Sequence, residues 1–145
     1  VYASAARGTL EDVQIGWSDE STVATCVVSG PKYSDGERAS GGYPDEYHSK
    51  QPIFLRGDPD DRVGKEGVES YVESHVFHNA TDLKNGEIRS RGGRVLTFAS
   101  SDPSVETARE TVYDDINEIY FNSMQYRDDV AEHVYPPEGP RLDEQ

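Results

Sequence analysis

Arg89, Arg91 and Arg94 lie close together in "EIRSRGGRVLTF" (87–98), around the pair Gly92–Gly93, in a chain whose formal net charge is -14. A guanidinium presents a planar fork of donors that fits the oxygens of a phosphate or carboxylate, often two at a time. Two successive glycines let another group approach the backbone closely, allow φ values that other residues avoid, and leave N–H groups able to point at an anion. The chemistry that fits this pattern is a phosphate grip, with Arg94 emerging at the first position of a strand. A tight β-turn whose arginines offset neighbouring carboxylates accounts for the same residues.

Other constellations point away from catalysis. His75 and His78 are three apart on a predicted strand, which sends their side chains to opposite faces and prevents a shared metal. Asp58, Asp60 and Asp61 in "RGDPDDR" lack the spacing, central glycine and closing glutamate of a calcium loop and read as a solvated turn. "NAT" at Asn79 matches a glycosylation sequon and reads as local polarity. No Walker-type phosphate loop, dinucleotide glycine motif or supported Ser/His/Asp grouping occurs. Cys26 is the only cysteine, which excludes an intrachain disulfide and a cysteine-ligated zinc. Its neighbours in "TVATCVV" predict a buried, inert thiol. Neither a catalytic group nor a metal site is expected in this chain.

The 145 residues suit one domain. With 34% hydrophobic and 29% charged residues, the core should be thin relative to its surface. The 28 carboxylates against 14 bases repel nucleic acid and anionic membranes. Ten of those bases are arginine and four are lysine, a skew that predicts solubility in high salt. No apolar run approaches the roughly 20 residues of a membrane-spanning helix, and the start lacks the basic-then-apolar order of a signal peptide. The cytoplasm is the expected compartment. The chain opens at Val1 in mid-pattern, as a piece of something longer would.

Period-two alternation of Val13, Ile15 and Trp17 in "LEDVQIGWSD" predicts a half-buried strand, and "VATCVV" a second. "SGPKYSDGERASGGYPDEY" reads as a long loop. "PIFLRG", "SHVFHNA" and "RVLTFAS" read as short strands separated by polar turns such as "KNGE". Val105, Ala108, Val112, Ile116 and Ile119 recur at spacings of three and four and form one apolar helical stripe. Asp102 is the expected N-cap, with Pro103 at the first helical position. "YPPEGPRLDEQ" has no periodicity and reads as a frayed tail. The fold class is α+β: a small β-rich domain, barrel- or sandwich-like and mostly antiparallel, covered by one amphipathic helix at about 102–120.

The ordered set "WSDESTVATCVV", "SGGYP", "VFHNAT", "GGRVLTFA" and "MQYRDDV" resembles the C-terminal domain of the phosphoribosylamine–glycine ligase family, within the ATP-grasp superfamily. The likeness runs from about Leu10 to Val134. It implies that residues 1–20 are the trailing edge of an ATP-grasp domain, 21–136 the small domain that closes over the substrate cleft, and 137–145 a flexible tail. It implies an enzyme of purine biosynthesis in which ATP phosphorylates the carboxylate of glycine and the amine of 5-phosphoribosylamine attacks the acyl phosphate. ATP and Mg2+ (or Mn2+) would be held upstream of Val1, so this piece alone would be inactive. Its partners would be those small molecules and the remainder of the ligase chain. A stand-alone binding module or a single-hybrid-type structural module with the same fold is the alternative.

The resemblance places Arg94 at the substrate's ribose phosphate, with Gly92 and Gly93 allowing the ligand's approach. Gly42 and Tyr43, in the "GGYP" turn, would shape the adjoining wall, with Tyr43 stacking on the ligand or packing the turn. His78 is expected in a buried structural hydrogen bond, and Arg127 with Asp129 in an ion pair. Four departures from the family pattern stand out: Asp45 after "GYP", Arg91 before the diglycine, Asn79 in place of alanine, and "PKYSDGER", which looks inserted. Asp45 beside a phosphate would weaken binding unless it points away.

Overall fold

The computed structural model describes residues 1–57 and 60–133. Its elements in chain order are α1 (Tyr2–Arg7), β1 (Ser21–Ser29), β2 (Tyr33–Ser34), β3 (Glu37–Arg38), β4 (Phe54–Leu55), β5 (His75–His78), β6 (Thr81–Lys84), β7 (Glu87–Ser90), β8 (Arg94–Asp102), α2 (Val105–Asn117), β9 (Ile119–Tyr120) and β10 (Met124–Gln125). Short 3-10 turns lie at Leu10–Asp12 and Val68–Ser70.

The frame is an open four-stranded sheet in the order β10-β1-β8-β5. β1 and β8 are rich in β-branched and small residues and pair antiparallel from Ser21 opposite Asp102 to Val27 opposite Leu96. The register then slips between Val27 and Val28, so that Val28 faces Arg94 and Val95 is the extra residue of a bulge. Residues directly opposite one another share a face. Val23, Val27, Leu96 and Phe98 therefore point to one side, where Ala108, Val112 and Ile116 of α2 complete a buried core. Ala24, Cys26, Val28, Thr97, Ala99 and Arg94 belong to the other side.

The helix is shorter than its apolar stripe, at Val105–Asn117, and Ile119 lies beyond it in β9. Ser104, rather than Asp102, is the N-cap: its hydroxyl accepts from the N–H of Thr107 at 3.2 Å. Asp102 acts one step earlier, its carboxylate accepting from the N–H of Ser104 at 2.8 Å. Two polar groups in tandem thus stop β8 and start α2, which moves the helix start past Pro103.

Three other expectations change. No strand forms around Val13, Ile15 and Trp17: no neighbouring strand pairs with this segment, and Ile15 and Trp17 are 54% and 89% exposed. The segment expected as loop contains the β2–β3 hairpin, turned at Asp35 and Gly36 with φ 53 and 83. β6 and β7 form a further hairpin through Asn85–Gly86, φ 55 and 82, the positive-φ pair of a two-residue turn. The tail at 137–145 and Asp58 of the acidic turn lie outside the described residues.

Candidate functional site

A cleft of about 730 Å³ opens on the side of the sheet away from α2, lined among others by Ala24, Cys26, Val28, Tyr43, Arg94, Met124, Arg127 and Val130. The slip in register at Val28 sets Arg94 on this wall, at the end of β8 and next to the diglycine. Arg94 is exposed, and its side chain makes no hydrogen bond or ion pair with another described residue. In a chain with twice as many carboxylates as bases, an arginine without a carboxylate partner in a concave wall is a cation available to a ligand.

Ser29, which the sequence reading passed over, holds the site together. Its N–H donates to the carbonyl of Gly93 at 2.7 Å and its hydroxyl to the carbonyl of Gly92 at 2.9 Å. Its own carbonyl accepts from the N–H of Tyr43 at 3.0 Å. This one buried serine therefore ties the diglycine to the "GGYP" turn. The signal available was a polar residue ending an otherwise apolar strand immediately before glycine.

The diglycine serves close approach rather than unusual backbone angles. Gly92 and Gly93 are absent from the positive-φ positions, so the expected left-handed φ does not occur there. A Cβ on Gly92 would come within 2.8 Å of Cβ of Ala80, and one on Gly93 would overlap the Tyr43 ring. The positive φ falls instead at Gly42, φ 82, where a Cβ would also sit 2.9 Å from the backbone of Gly30 and Pro31. Tyr43, 38% exposed and followed by a cis peptide bond to Pro44, packs on Gly93 and meets Tyr47 edge-on at 6.2 Å between ring centres. It packs the turn and lines the cleft.

Arg127 lines the same cleft but is already engaged. Its guanidinium donates to both oxygens of Asp129 at 2.8 and 2.6 Å, the expected ion pair. That hydrogen bonding holds the Asp129 carboxyl below the usual carboxylate range and pushes the Arg127 guanidinium up. Helix α2 sets this wall: Arg109 donates to the carbonyls of Val130 and Asp128 at 3.0 and 2.6 Å, and the Tyr113 hydroxyl donates to the carbonyl of Arg127 at 2.7 Å.

The remaining candidates lie elsewhere. His78 is exposed rather than buried, with Nδ1 2.7 Å from Thr81 Oγ1 and Nε2 3.2 Å from Glu69. Strand β5 is an edge strand of the sheet, which leaves His78 open to solvent on its outer side. Cys26 is half-buried on the cleft wall rather than enclosed. Asp45 turns back over Gly41, its Oδ2 2.9 Å from where a Cβ would stand, and is not among the cleft-lining residues. Asn79 donates to Thr97 Oγ1 at 3.2 Å. Arg91 faces a different cavity with Arg89, so the arginine cluster of the sequence is divided in the fold.

Residues 38–133 match the family model described as phosphoribosylglycinamide synthetase, C domain. The chain belongs to this family. The C domain is also similar to phosphoribosylamine–glycine ligase of Caldanaerobacter subterraneus, at 33% identity over 125 residues, covering 86% of this chain and 24% of that protein. It is 30% identical over 138 residues to the bifunctional purine biosynthetic protein ADE5,7 of Saccharomyces cerevisiae, covering 93% of this chain and 15% of that one. The crystal structure of phosphoribosylamine–glycine ligase from Thermotoga maritima superposes with a TM-score of 0.50 at 23% identity, over 73% of this chain and 21% of the other. The C domain thus spans about a quarter of the single-function ligases it matches, and its small mixed fold is shared with one of them. No helix among the described residues is long and apolar enough to cross a membrane.

Proposed function

We propose that this chain is the C-terminal part of a phosphoribosylamine–glycine ligase, which joins glycine to 5-phosphoribosylamine at the expense of ATP and gives glycinamide ribonucleotide in purine biosynthesis. Residues 21–136 act as the domain that closes over the substrate, and residues 1–20 as the trailing edge of the ATP-grasp domain. The observation that carries the reading is Arg94, a cation without a carboxylate partner on the wall of the cleft of about 730 Å³, in a chain whose relatives are phosphoribosylamine–glycine ligases. Arg94 grips the ribose phosphate by charge-assisted hydrogen bonds. Gly92 and Gly93 keep that wall thin, Gly42 sets the turn beside it, and the Tyr43 ring covers the sugar side.

Among the described residues no three His, Cys, Asp or Glu side chains gather as metal ligands. No Mg2+ or Mn2+ is assigned to the described residues, and no step of the reaction is assigned to them beyond substrate binding. ATP and the metal are assigned to the ligase length outside this chain, and the domain alone is inactive. The enzyme works in the cytoplasm. A stand-alone module with the same fold is the weaker reading, because the relatives carry this domain within longer ligases and biosynthetic enzymes.

Isothermal titration of the chain with glycinamide ribonucleotide tests the assignment. The expected result is weak binding that is clearly reduced in Arg94→Ala. Equal binding by the variant would remove Arg94 from the site.

A further inference from the structure

Arg89 and Arg91 do not join Arg94. They line a cavity of about 210 Å³ with Lys50, Lys84, Ser90 and Asp82. Four cations thus face one carboxylate inside a chain of net charge -14. This cavity shares no lining residue with the larger cleft.

The cations are set there by the backbone. In the β6–β7 hairpin Asp82 stands opposite Arg89 and Thr81 opposite Ser90. Buried Ser90 then clamps the neighbouring segment: its carbonyl accepts from the N–H of Lys50 at 2.7 Å, its hydroxyl from the N–H of Gln51 at 3.0 Å, and its N–H donates to the carbonyl of Gln51 at 2.8 Å. Lys50 is thereby held against the hairpin at φ 62, in the left-handed region that lysine seldom adopts. Arg91 is fixed from the other side, its N–H donating to the carbonyl of Ala80 at 2.9 Å.

These charges are mostly uncompensated. Arg89 donates to Glu87 at 2.9 Å through one terminal nitrogen, while its Nε is buried without a hydrogen-bond partner. The side chains of Lys50, Lys84 and Arg91 make no ion pair or hydrogen bond with another described residue. Three left over around one concavity make a local positive potential suited to a compact dianion.

We propose that the Lys50, Lys84, Arg89 and Arg91 cavity is a second anion site, built for a phosphate dianion, either free or as a phosphomonoester. Lys50 and Lys84 supply compact charges, Arg91 a planar fork, and Arg89 is braced by Glu87 at the wall.

Titration with inorganic phosphate and with ribose 5-phosphate, at ionic strength fixed with chloride, tests this. Both probes are expected to bind the unmodified chain and the Arg94→Ala variant, and to bind about tenfold or more weakly to the Lys84→Gln/Arg91→Gln double variant made in the Arg94→Ala background. Tighter binding of ribose 5-phosphate identifies a phosphomonoester as the ligand, and equal binding identifies the phosphate itself. Both residues are exposed, and their side chains make no hydrogen bond or ion pair with another described residue. The double variant should keep its circular-dichroism spectrum, and Lys84→Arg should bind as the parent does. Absence of binding, unchanged binding by the double variant, or loss in Arg94→Ala would each overturn the proposal.

Discussion

The Tyr43 ring occupies the space that a side chain on Gly93 would fill. The two residues come from different parts of the chain and are brought together by the buried backbone of Ser29, which bonds to both. Gly93→Ala should therefore destabilise the domain by about 1–3 kcal/mol through overpacking. The cost should shrink by at least about 0.5 kcal/mol in a Tyr43→Ala background, because the two sites share one space. Urea unfolding of the four proteins of the cycle measures this, and strict additivity would contradict the contact.

Arg94→Ala in a ligase chain that carries this domain should raise KM for phosphoribosylamine, leaving the affinities for ATP and glycine near their starting values. Loss of one charge-assisted contact costs about 1.5–3 kcal/mol, or roughly 10- to 100-fold. Steady-state kinetics with each substrate varied in turn checks it. An unchanged KM for phosphoribosylamine would rule the contact out.

Buried Asp115 on α2 accepts from the N–H groups of Glu73 and Ser74, at 2.6 Å for the shortest. It anchors the turn that feeds β5. Asp115→Ala strands those two donors and should cost about 1–3 kcal/mol. Asp115→Asn, which keeps one acceptor oxygen, should cost less. Denaturant midpoints that rank the two variants the other way round would contradict the anchoring role.

Acid should remove part of the stability. Hydrogen bonds from Arg89, then from Arg62, hold the Glu87 carboxyl below its ordinary value of 4.5, and Arg127 holds that of Asp129 below 3.8. A carboxyl lowered in the folded state contributes fully above its unfolded value and loses that contribution as pH falls through the folded one. The loss therefore lies below pH 4.5 for Glu87 and below 3.8 for Asp129. Glu87→Gln should flatten the upper part of this acid limb in a thermal-midpoint profile. An unaltered limb would show that the Arg62–Glu87–Arg89 cluster does not couple to folding.

The thermal midpoint should rise markedly between dilute buffer and molar KCl, because screening relieves repulsion among 28 carboxylates facing 14 bases. A flat response would remove the high-salt expectation.

The sequence displayed what local pattern controls and hid what long-range pairing controls. The stripe of Ala108, Val112 and Ile116 marked α2, since one face of a helix reads at fixed spacing. The alternation of Val13, Ile15 and Trp17 looked as good, yet alternation makes a strand only where a neighbour supplies hydrogen bonds and a core supplies burial. Asp102 and Ser104 are both sound caps by residue type, and only geometry decides which one the helix uses. In the site, Arg94 and Tyr43 carried a local signal in their glycine-rich surroundings. Ser29 could not, because its value lies in contacts 14 and 63 or more positions away along the chain. The division of the three arginines between two cavities depends on the bulge at Val95 and on the Asn85–Gly86 hairpin, which no spacing rule displays.

Trp17 is the chain's only tryptophan and stands almost wholly in solvent. With 89% of its surface exposed, its fluorescence should resemble that of indole in water, and denaturing the domain should scarcely move the emission maximum. Covering the segment around it should shift that maximum to the blue. The chain thus carries an optical label that is nearly blind to folding and responsive to whatever docks against residues 13–17.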